Sequence, residues 1–205
     1  LPDGRVLASR YGAAGGGTGS VVVLDSEGDI EAELPLASTE DVVAAAKSLA
    51  YDPVRQVVWV NTDLVPGSGG ANRHDARVLE LATGREILRI ETPELHFLRF
   101  GDDGRGFFTW QQGSRLALRM TQPGAAVDAS SGREIVLDDA FADGHDFVQD
   151  LRVEADGRAV VTRWSGVVHV VSAGDRVQTV RLPRTGDGFY YTAIATGDRV
   201  CATYC

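Results

Sequence analysis

Three tryptophans are placed to form an aromatic binding surface, because each stands shortly after an arginine that occupies a turn. Trp59, Trp110 and Trp164 follow Arg55, Arg105 and Arg158 by 4, 5 and 6 residues. We expect all three near the end of a strand, on one face of the fold, and tryptophan anchors are enriched at binding hot spots. The favoured alternative is burial between sheets, since large aromatic side chains mostly lie in cores. The separation between arginine and tryptophan grows from 4 to 6 residues, and this change would turn the indoles toward different faces.

Two polar residues join the tryptophans as candidate binding residues. They are Asn61 and His74, and His74 lies in a predicted polar loop over residues 64–75. Loops on a rigid scaffold often carry binding residues, so His74 is the histidine that we would test for function. His169 lies in an apolar segment, which predicts a hydrogen-bonded core residue. No pair of histidines has the spacing of a zinc site.

Other motifs do not indicate chemistry. Residues 138–146 contain four aspartates, and carboxylate oxygens are calcium ligands. Their spacing does not match an EF-hand, so a solvated acidic turn is the favoured interpretation. The glycine-rich residues 15–20 lack the Gly-Lys-Ser/Thr ending of a phosphate-binding loop, and no Gly-x-Ser-x-Gly motif occurs. The sequence therefore predicts no catalytic residue, no metal site and no cofactor.

The elements that position these residues follow a repeat: an apolar strand, a tight turn of the Asp-Gly-Arg type, and a second strand. The turn arginines are Arg5, Arg55, Arg105, Arg158 and Arg199, separated by 50, 50, 53 and 41 residues. Asp-Gly between apolar segments predicts a hairpin, because glycine accepts a positive φ. A second turn recurs between these hairpins, so each unit holds four short strands. Units of this length are typical of β-propeller blades.

We therefore expect an all-β fold, a single β-propeller of four-stranded antiparallel blades. The expected blades are residues 1–36, 48–92, 95–138, 146–183 and 189–205. The predicted total of 17 strands is not a multiple of four. We accordingly expect an incomplete propeller with about four to five blades, belonging to a longer chain, because raw sheet edges are normally avoided.

Two kinds of segment depart from simple strand alternation. Residues 21–24 and 167–171 are continuously apolar, which predicts strands buried on both faces. Residues 38–47 predict a short helix that connects two blades. Ser38 or Thr39 can cap this helix, acidic residues occupy its first turn, and Lys47 ends it.

Part of the fourth unit resembles a blade of the WD-repeat family. The Gly-His-Asp sequence at residues 144–146 precedes a predicted strand, and an Asp-Gly-Arg turn ending at Arg158 follows that strand. The turns at residues 82–86 and 131–134 resemble those of bacterial WD-repeat and quinoprotein-like propellers. The Trp-Asp dipeptide of the family is absent, so the chain resembles a degenerate member. The resemblance implies that His145 is a structural histidine, hydrogen-bonded within its blade.

Charge and cysteine usage limit the partners. The chain of 205 residues carries a formal net charge of −9 and has no apolar segment of transmembrane length. An acidic surface repels phosphate backbones and anionic lipids, so we expect neither a nucleic-acid partner nor a membrane. In a strand, Cys201 and Cys205 would lie roughly 13 Å apart, beyond the reach of a disulfide. Two cysteines fit a reducing, cytoplasmic location.

These observations predict a soluble, non-catalytic scaffold that binds a protein or peptide partner. The alternative is a propeller-type enzyme, such as a glycosidase, a lyase or a quinone-dependent dehydrogenase, with its site in the central channel. That alternative requires carboxylates, histidines or metal ligands from several blades to converge in one pocket.

Overall fold

The computed structural model describes residues 1–10, 19–37, 42–66, 73–91, 95–122, 132–140, 146–183, 190–196 and 199–204. Every regular secondary-structure element in these ranges is a β-strand, which confirms the predicted all-β class. No helix within these ranges has the length and apolar character needed to cross a bilayer.

The strands follow one another along the chain and are short. They are β1 (Val6–Arg10), β2 (Ser20–Leu24), β3 (Ile30–Pro35), β4 (Val42–Asp52), β5 (Val57–Pro66), β6 (Arg73–Glu80), β7 (Glu86–Glu91), β8 (Leu95–Phe100), β9 (Gly106–Gln112), β10 (Arg115–Met120), β11 (Arg133–Asp138), β12 (Val148–Val153), β13 (Ala159–Arg163), β14 (Val167–Val171), β15 (Val177–Arg181), β16 (Tyr190–Thr196) and β17 (Arg199–Tyr204).

Antiparallel sheets contain these strands, and within each sheet the strands pair in the order of the sequence. The first sheet holds β1–β3, the second β4–β7, the third β8–β11, the fourth β12–β15 and the fifth β16–β17. The second, third and fourth sheets are four-stranded meanders, as the repeat predicts. The chain divides into two compact units: Leu1–Pro93 holds the first two sheets, and Glu94–Cys205 holds the other three.

The Asp-Gly-Arg turns share one local structure. In each, an aspartate carboxylate accepts the backbone N–H of the arginine two residues later, at 3.2 Å for Arg5, 2.9 Å for Arg105 and 3.1 Å for Arg158. The glycines before these arginines have φ values of 88°, 73° and 78°, a region that glycine enters at no steric cost. Before β5 the buried carboxylate of Asp52 accepts two backbone N–H groups, and Gln56 takes a positive φ of 55°.

In the first unit, the core lies between the first and second sheets. Val21 of β2 belongs to the same buried cluster as Val58 of β5. Trp59 is the next residue and therefore faces the opposite side of its sheet. Gly19 allows the two sheets to approach closely, because its N–H donates to the Ala44 carbonyl at 3.2 Å and an added Cβ would clash with that oxygen.

In the second unit, the fourth sheet is covered on both faces. Leu151 and Val161 share a buried cluster with Leu118 of the third sheet. Val160 belongs to another cluster, with Ala193 of the fifth sheet. Every residue of β13 and β14 is buried, which confirms the prediction that residues 167–171 form a strand covered on both faces.

The helix predicted at residues 38–47 is wrong. Residues 38–41 lie outside the described ranges, and the chain from residue 42 onward forms β4, which pairs along its length with β5. Ala44, Ala45 and Ala46 are buried in this strand. Capping residues and alanines set only a weak local preference for a helix, and pairing with a long neighbouring strand overrides it.

The polar loop predicted at residues 64–75 is shorter than expected. Strand β5 continues to Pro66 and β6 begins at Arg73, while residues 67–72 lie outside the described ranges. His74 is therefore a strand residue that pairs with Asp63. The His74 side chain itself falls outside the described part of the structure.

Candidate binding groove

A groove of about 580 Å³ lies between the β8–β9 and β12–β13 hairpins of the second unit. Its apolar lining includes Phe100, Phe107 and Val153. Its charged lining residues are Asp102, Asp103, Arg105, Glu154 and Asp156. Acids outnumber the single arginine, so the groove carries an excess of negative charge.

The turn arginines hold the walls of this groove in place. Arg105 Nη2 lies 3.6 Å from the Asp103 carboxylate, and Arg158 Nε lies 2.7 Å from the Asp156 carboxylate. Arg158 also donates from Nη2 to the Ala195 carbonyl at 3.0 Å, which connects its hairpin to β16. Backbone hydrogen bonds of 2.9 and 2.8 Å close the bases of the two hairpins. Both walls are therefore pre-formed.

Two polar atoms of the groove are buried and have no hydrogen-bond partner among the described residues. They are Oε1 of Glu154 and Nε of Arg105. The first atom is an acceptor and the second is a donor. A buried polar group without a partner costs roughly 1–3 kcal/mol. Both atoms are inaccessible to solvent, so an occupant of the groove reaches them only if the side chains of the walls move.

A second polar cluster lies between the third and fourth sheets. The Arg163 side chain is 7% exposed, donates from Nη1 to Asp138 at 2.6 Å, and donates from Nη2 to Asp146. Asp146 also accepts the backbone N–H of Ser165 at 2.9 Å. Two aspartates of the predicted acidic turn are thus ion-paired with one buried arginine, and Asp143 lies outside the described residues.

His169 belongs to the same cluster and is 2% exposed. Its Nδ1 lies 3.1 Å from the Thr179 hydroxyl. The pKa of His169 is lowered to about 4, mainly by burial and next by the charge of Arg163, while Asp138 and Asp146 oppose the shift. The imidazole is neutral at pH 7 and buried, as predicted for a core histidine, although Nδ1 alone has a hydrogen-bond partner among the described residues. Sequence reasoning missed Arg163, because a single arginine at a strand end belongs to no motif.

Comparison with known proteins identifies the fold. No protein-family model and no curated protein matches the sequence. A protein of unknown function from Bacteroides caccae matches with a TM-score of 0.55 and 14% identity, covering 95% of this chain and 62% of that chain. Regucalcin, a calcium-binding protein from Agrobacterium tumefaciens, matches with a TM-score of 0.55 and 16% identity, covering 88% and 58%. The Dos1 propeller matches with a TM-score of 0.51 and 10% identity, covering 98% and 49%.

The chain is a β-propeller. This agrees with the predicted WD-repeat-like or quinoprotein-like architecture. The propeller chain spans 62% and 58% of the length of the first two matching structures. At these low identities the likeness concerns the fold alone, because one fold hosts many unrelated functions. The predicted alternative, an enzyme with its site in the central channel, stays a prediction.

Two of the candidate tryptophans occupy different environments in the propeller. Trp59 is the third residue of β5 and is 4% exposed, between Ala50 and Val78 on the neighbouring strands. The predicted position near a strand end is therefore wrong for Trp59. Trp110 is partly buried beneath Arg119, whose guanidinium carbon lies 4.0 Å from the ring centroid.

Trp164 follows directly after β13, and its ring centroid lies 5.0 Å from that of Phe147. Asn61 is buried and lies two residues from Trp59, on the same face of β5. Trp110 and Trp164 belong to the second unit, and Trp59 and Asn61 belong to the first. The aromatic binding patch stays a prediction.

One acidic group among the described residues has the spacing of cation ligands. Asp25, Glu27 and Asp29 bring carboxylate oxygens within 4.8 Å of one another in the turn between β2 and β3. Asp25 Oδ1 also accepts the backbone N–H groups of Glu27 and Asp29, both at 2.9 Å. An aspartate that stabilises its own turn in this way is common in hairpins, so the grouping has a structural reason.

Proposed function

We propose that this propeller is a non-catalytic binding module, and that its groove takes an extended, basic segment of a protein partner. The observation that carries this proposal is one open groove with an apolar floor, lined by four carboxylates and a single guanidinium. A peptide main chain carries N–H donors for the groove carboxylates and carbonyl acceptors for the Arg105 guanidinium. An extended segment exposes both groups, whereas a helix uses them internally.

The excess of negative charge in the groove favours a basic peptide over an acidic one. Asp103 and Asp156 are bound by their own turn arginines. Asp102 is exposed and, like Glu154, forms no ion pair with the described residues. Lysine or arginine side chains complement these two carboxylates, and such complementarity accelerates encounter and excludes acidic competitors.

The rigidity of the groove favours binding. Both hairpins are closed by backbone hydrogen bonds, and the Arg158 contact with Ala195 fixes one of them to the next sheet. A pre-formed site loses less conformational entropy on binding than a flexible one. The apolar floor of Phe100 and Val153 can cover the aliphatic stems of lysine or arginine side chains.

The proposal is tested with two short fluorescent peptides, one alternating lysine with valine and one alternating glutamate with valine. Fluorescence anisotropy measures the binding of each peptide to the wild-type chain and to the Glu154→Gln and Glu31→Gln variants. Glu31 is an exposed residue of the first unit and serves as the charge-matched control. We expect only the basic peptide to bind, and Glu154→Gln to weaken it by about tenfold.

Two results would contradict the peptide proposal. One is equal binding of the basic and acidic peptides by the wild-type chain. The other is an equal effect of Glu154→Gln and Glu31→Gln, because this would attribute binding to overall charge and not to the groove. Circular dichroism of each variant checks that the strand content is unchanged.

A further inference from the structure

A separate cavity lies where the first strands of the third, fourth and fifth sheets meet. Strand β12 packs beside both β8 and β16. These strands contribute Arg99, Asp150, Arg152, Val153 and Thr192 to a cavity of about 440 Å³. That volume lies within the range of small-molecule sites.

One carboxylate and two guanidinium groups line this cavity. Asp150 lies 3.5 Å from Arg99 Nη2 and accepts a hydrogen bond from the Thr192 hydroxyl at 2.6 Å. The Arg152 side chain is exposed and makes no hydrogen bond or ion pair with the residues that the structure describes. The cavity therefore carries a local excess of positive charge, in a chain whose formal net charge is −9.

The electrostatics at Arg99 agree with this excess. Burial lowers the pKa of Arg99, Asp150 opposes that shift, and the charge of Arg152 lowers the pKa further. Both guanidinium groups line the same cavity, so one anion held there can contact both. An anion between them would relieve the repulsion and replace water lost from the buried group.

A smaller cavity of about 210 Å³ adjoins the first, and the two share Arg152 and Thr192. Its lining includes Ala193, Ile194 and Ala202. An occupant with a charged head at the arginines thus has space for a short apolar body beside β16 and β17.

We propose that this cavity binds a small organic oxyanion, a carboxylate or a phosphate monoester, between Arg99 and Arg152. Arginine is suited to this role, because its planar fork of donors matches the geometry of carboxylate and phosphate oxygens. Asp150, which accepts the Thr192 hydrogen bond, holds Arg99 by its charge. This site shares Val153 with the peptide groove but uses other charged residues.

Isothermal titration calorimetry with succinate, and separately with inorganic phosphate, tests the proposal at constant ionic strength kept with sodium chloride. We expect saturable binding of at least one of these anions. Arg152→Gln should weaken binding by about tenfold, since it removes a charged donor. Arg115→Gln is the matched control, because Arg115 is an exposed arginine of β10 outside the cavity.

A third variant distinguishes specific binding of an anion in the cavity from nonspecific attraction of anions by positive charge. Asp150→Asn removes the carboxylate that competes for the guanidinium groups, so anion binding should become tighter by severalfold while the strand content stays the same. Comparing succinate with phosphate identifies which oxyanion the cavity prefers. Absence of saturable binding of both anions would overturn the proposal. So would equal binding by the Arg152→Gln and Arg115→Gln variants.

Discussion

Arg163 donates a hydrogen bond from Nη1 to the Asp138 carboxylate at 2.6 Å, and this contact joins the end of β13 to the end of β11 in the preceding sheet. The same guanidinium binds Asp146 ahead of β12. A charge buried this deeply is stable only when it is paired. The contact therefore holds two adjacent blades together and also sets the electrostatic surroundings of His169.

Replacing Arg163 should strongly destabilise the second unit. Arg163→Met keeps the length of the side chain but leaves two partly buried aspartates without their partner, so we expect a loss of about 3–5 kcal/mol in the free energy of unfolding. Urea denaturation measures this loss. Arg115→Met removes an exposed ion pair with Glu134 and should change stability by about 0–1 kcal/mol. Equal losses of unfolding free energy for the two variants would show that the buried ion pairs of Arg163 do not stabilise the fold.

Stability should depend on pH through His169. Its pKa is about 4 in the folded chain against an ordinary value of 6.5, so between these values the unfolded chain binds more protons. The stabilising contribution is fully present above pH 6.5, is lost as the pH falls toward 4, and amounts to roughly 3 kcal/mol.

The measurement for His169 is a series of urea denaturations across this pH window, on the wild-type chain and on His169→Asn. The charged residues that act on the imidazole are Arg163, Arg181, Asp138 and Asp146. The wild-type chain should lose more stability than His169→Asn as the pH falls. Identical pH profiles, or an imidazole that titrates near 6.5 by NMR, would contradict the assignment.

Trp59→Ala should destabilise the first unit more than Trp164→Ala destabilises the second. Trp59 is buried between two strands, and emptying such a site costs about 3–5 kcal/mol. Trp164 is partly exposed and stacks on Phe147, so its loss should cost about 1–2 kcal/mol. Denaturation followed by circular dichroism compares the two variants, and a larger effect of Trp164→Ala would contradict this ranking.

Two glycines with similar backbone conformations should respond differently to alanine. Gly166 has a φ of 83°, and an added Cβ would lie 2.8 Å from the ring of Tyr190. Gly157 has a φ of 78° and open space around it. We expect a loss of about 1–2 kcal/mol for Gly157→Ala from backbone strain alone, and of about 2–4 kcal/mol for Gly166→Ala. Thermal denaturation measures both, and equal shifts would show that Tyr190 moves aside freely.

Some errors of the sequence interpretation have one physical cause. Residues 42–47 carry helix-forming alanines, yet they form part of β4 because β5 offers a long partner strand. Trp59 was expected near a strand end, but β5 extends well beyond it. Both errors concern strand length, which depends on pairing with another strand and not on local preference.

The sequence by itself determined the antiparallel repeat and the positions of the hairpins, because Asp-Gly turns and apolar strands are local signals that residues near in sequence create together. Only the tertiary structure decided which charged groups meet. Arg163 and Asp138 are 25 residues apart, and Thr192 and Asp150 are 42 apart. Contacts over such separations arise when neighbouring blades stack. The groove, the ion pairs of Arg163 and the cavity lined by Arg99 and Arg152 therefore cannot be predicted from local sequence patterns.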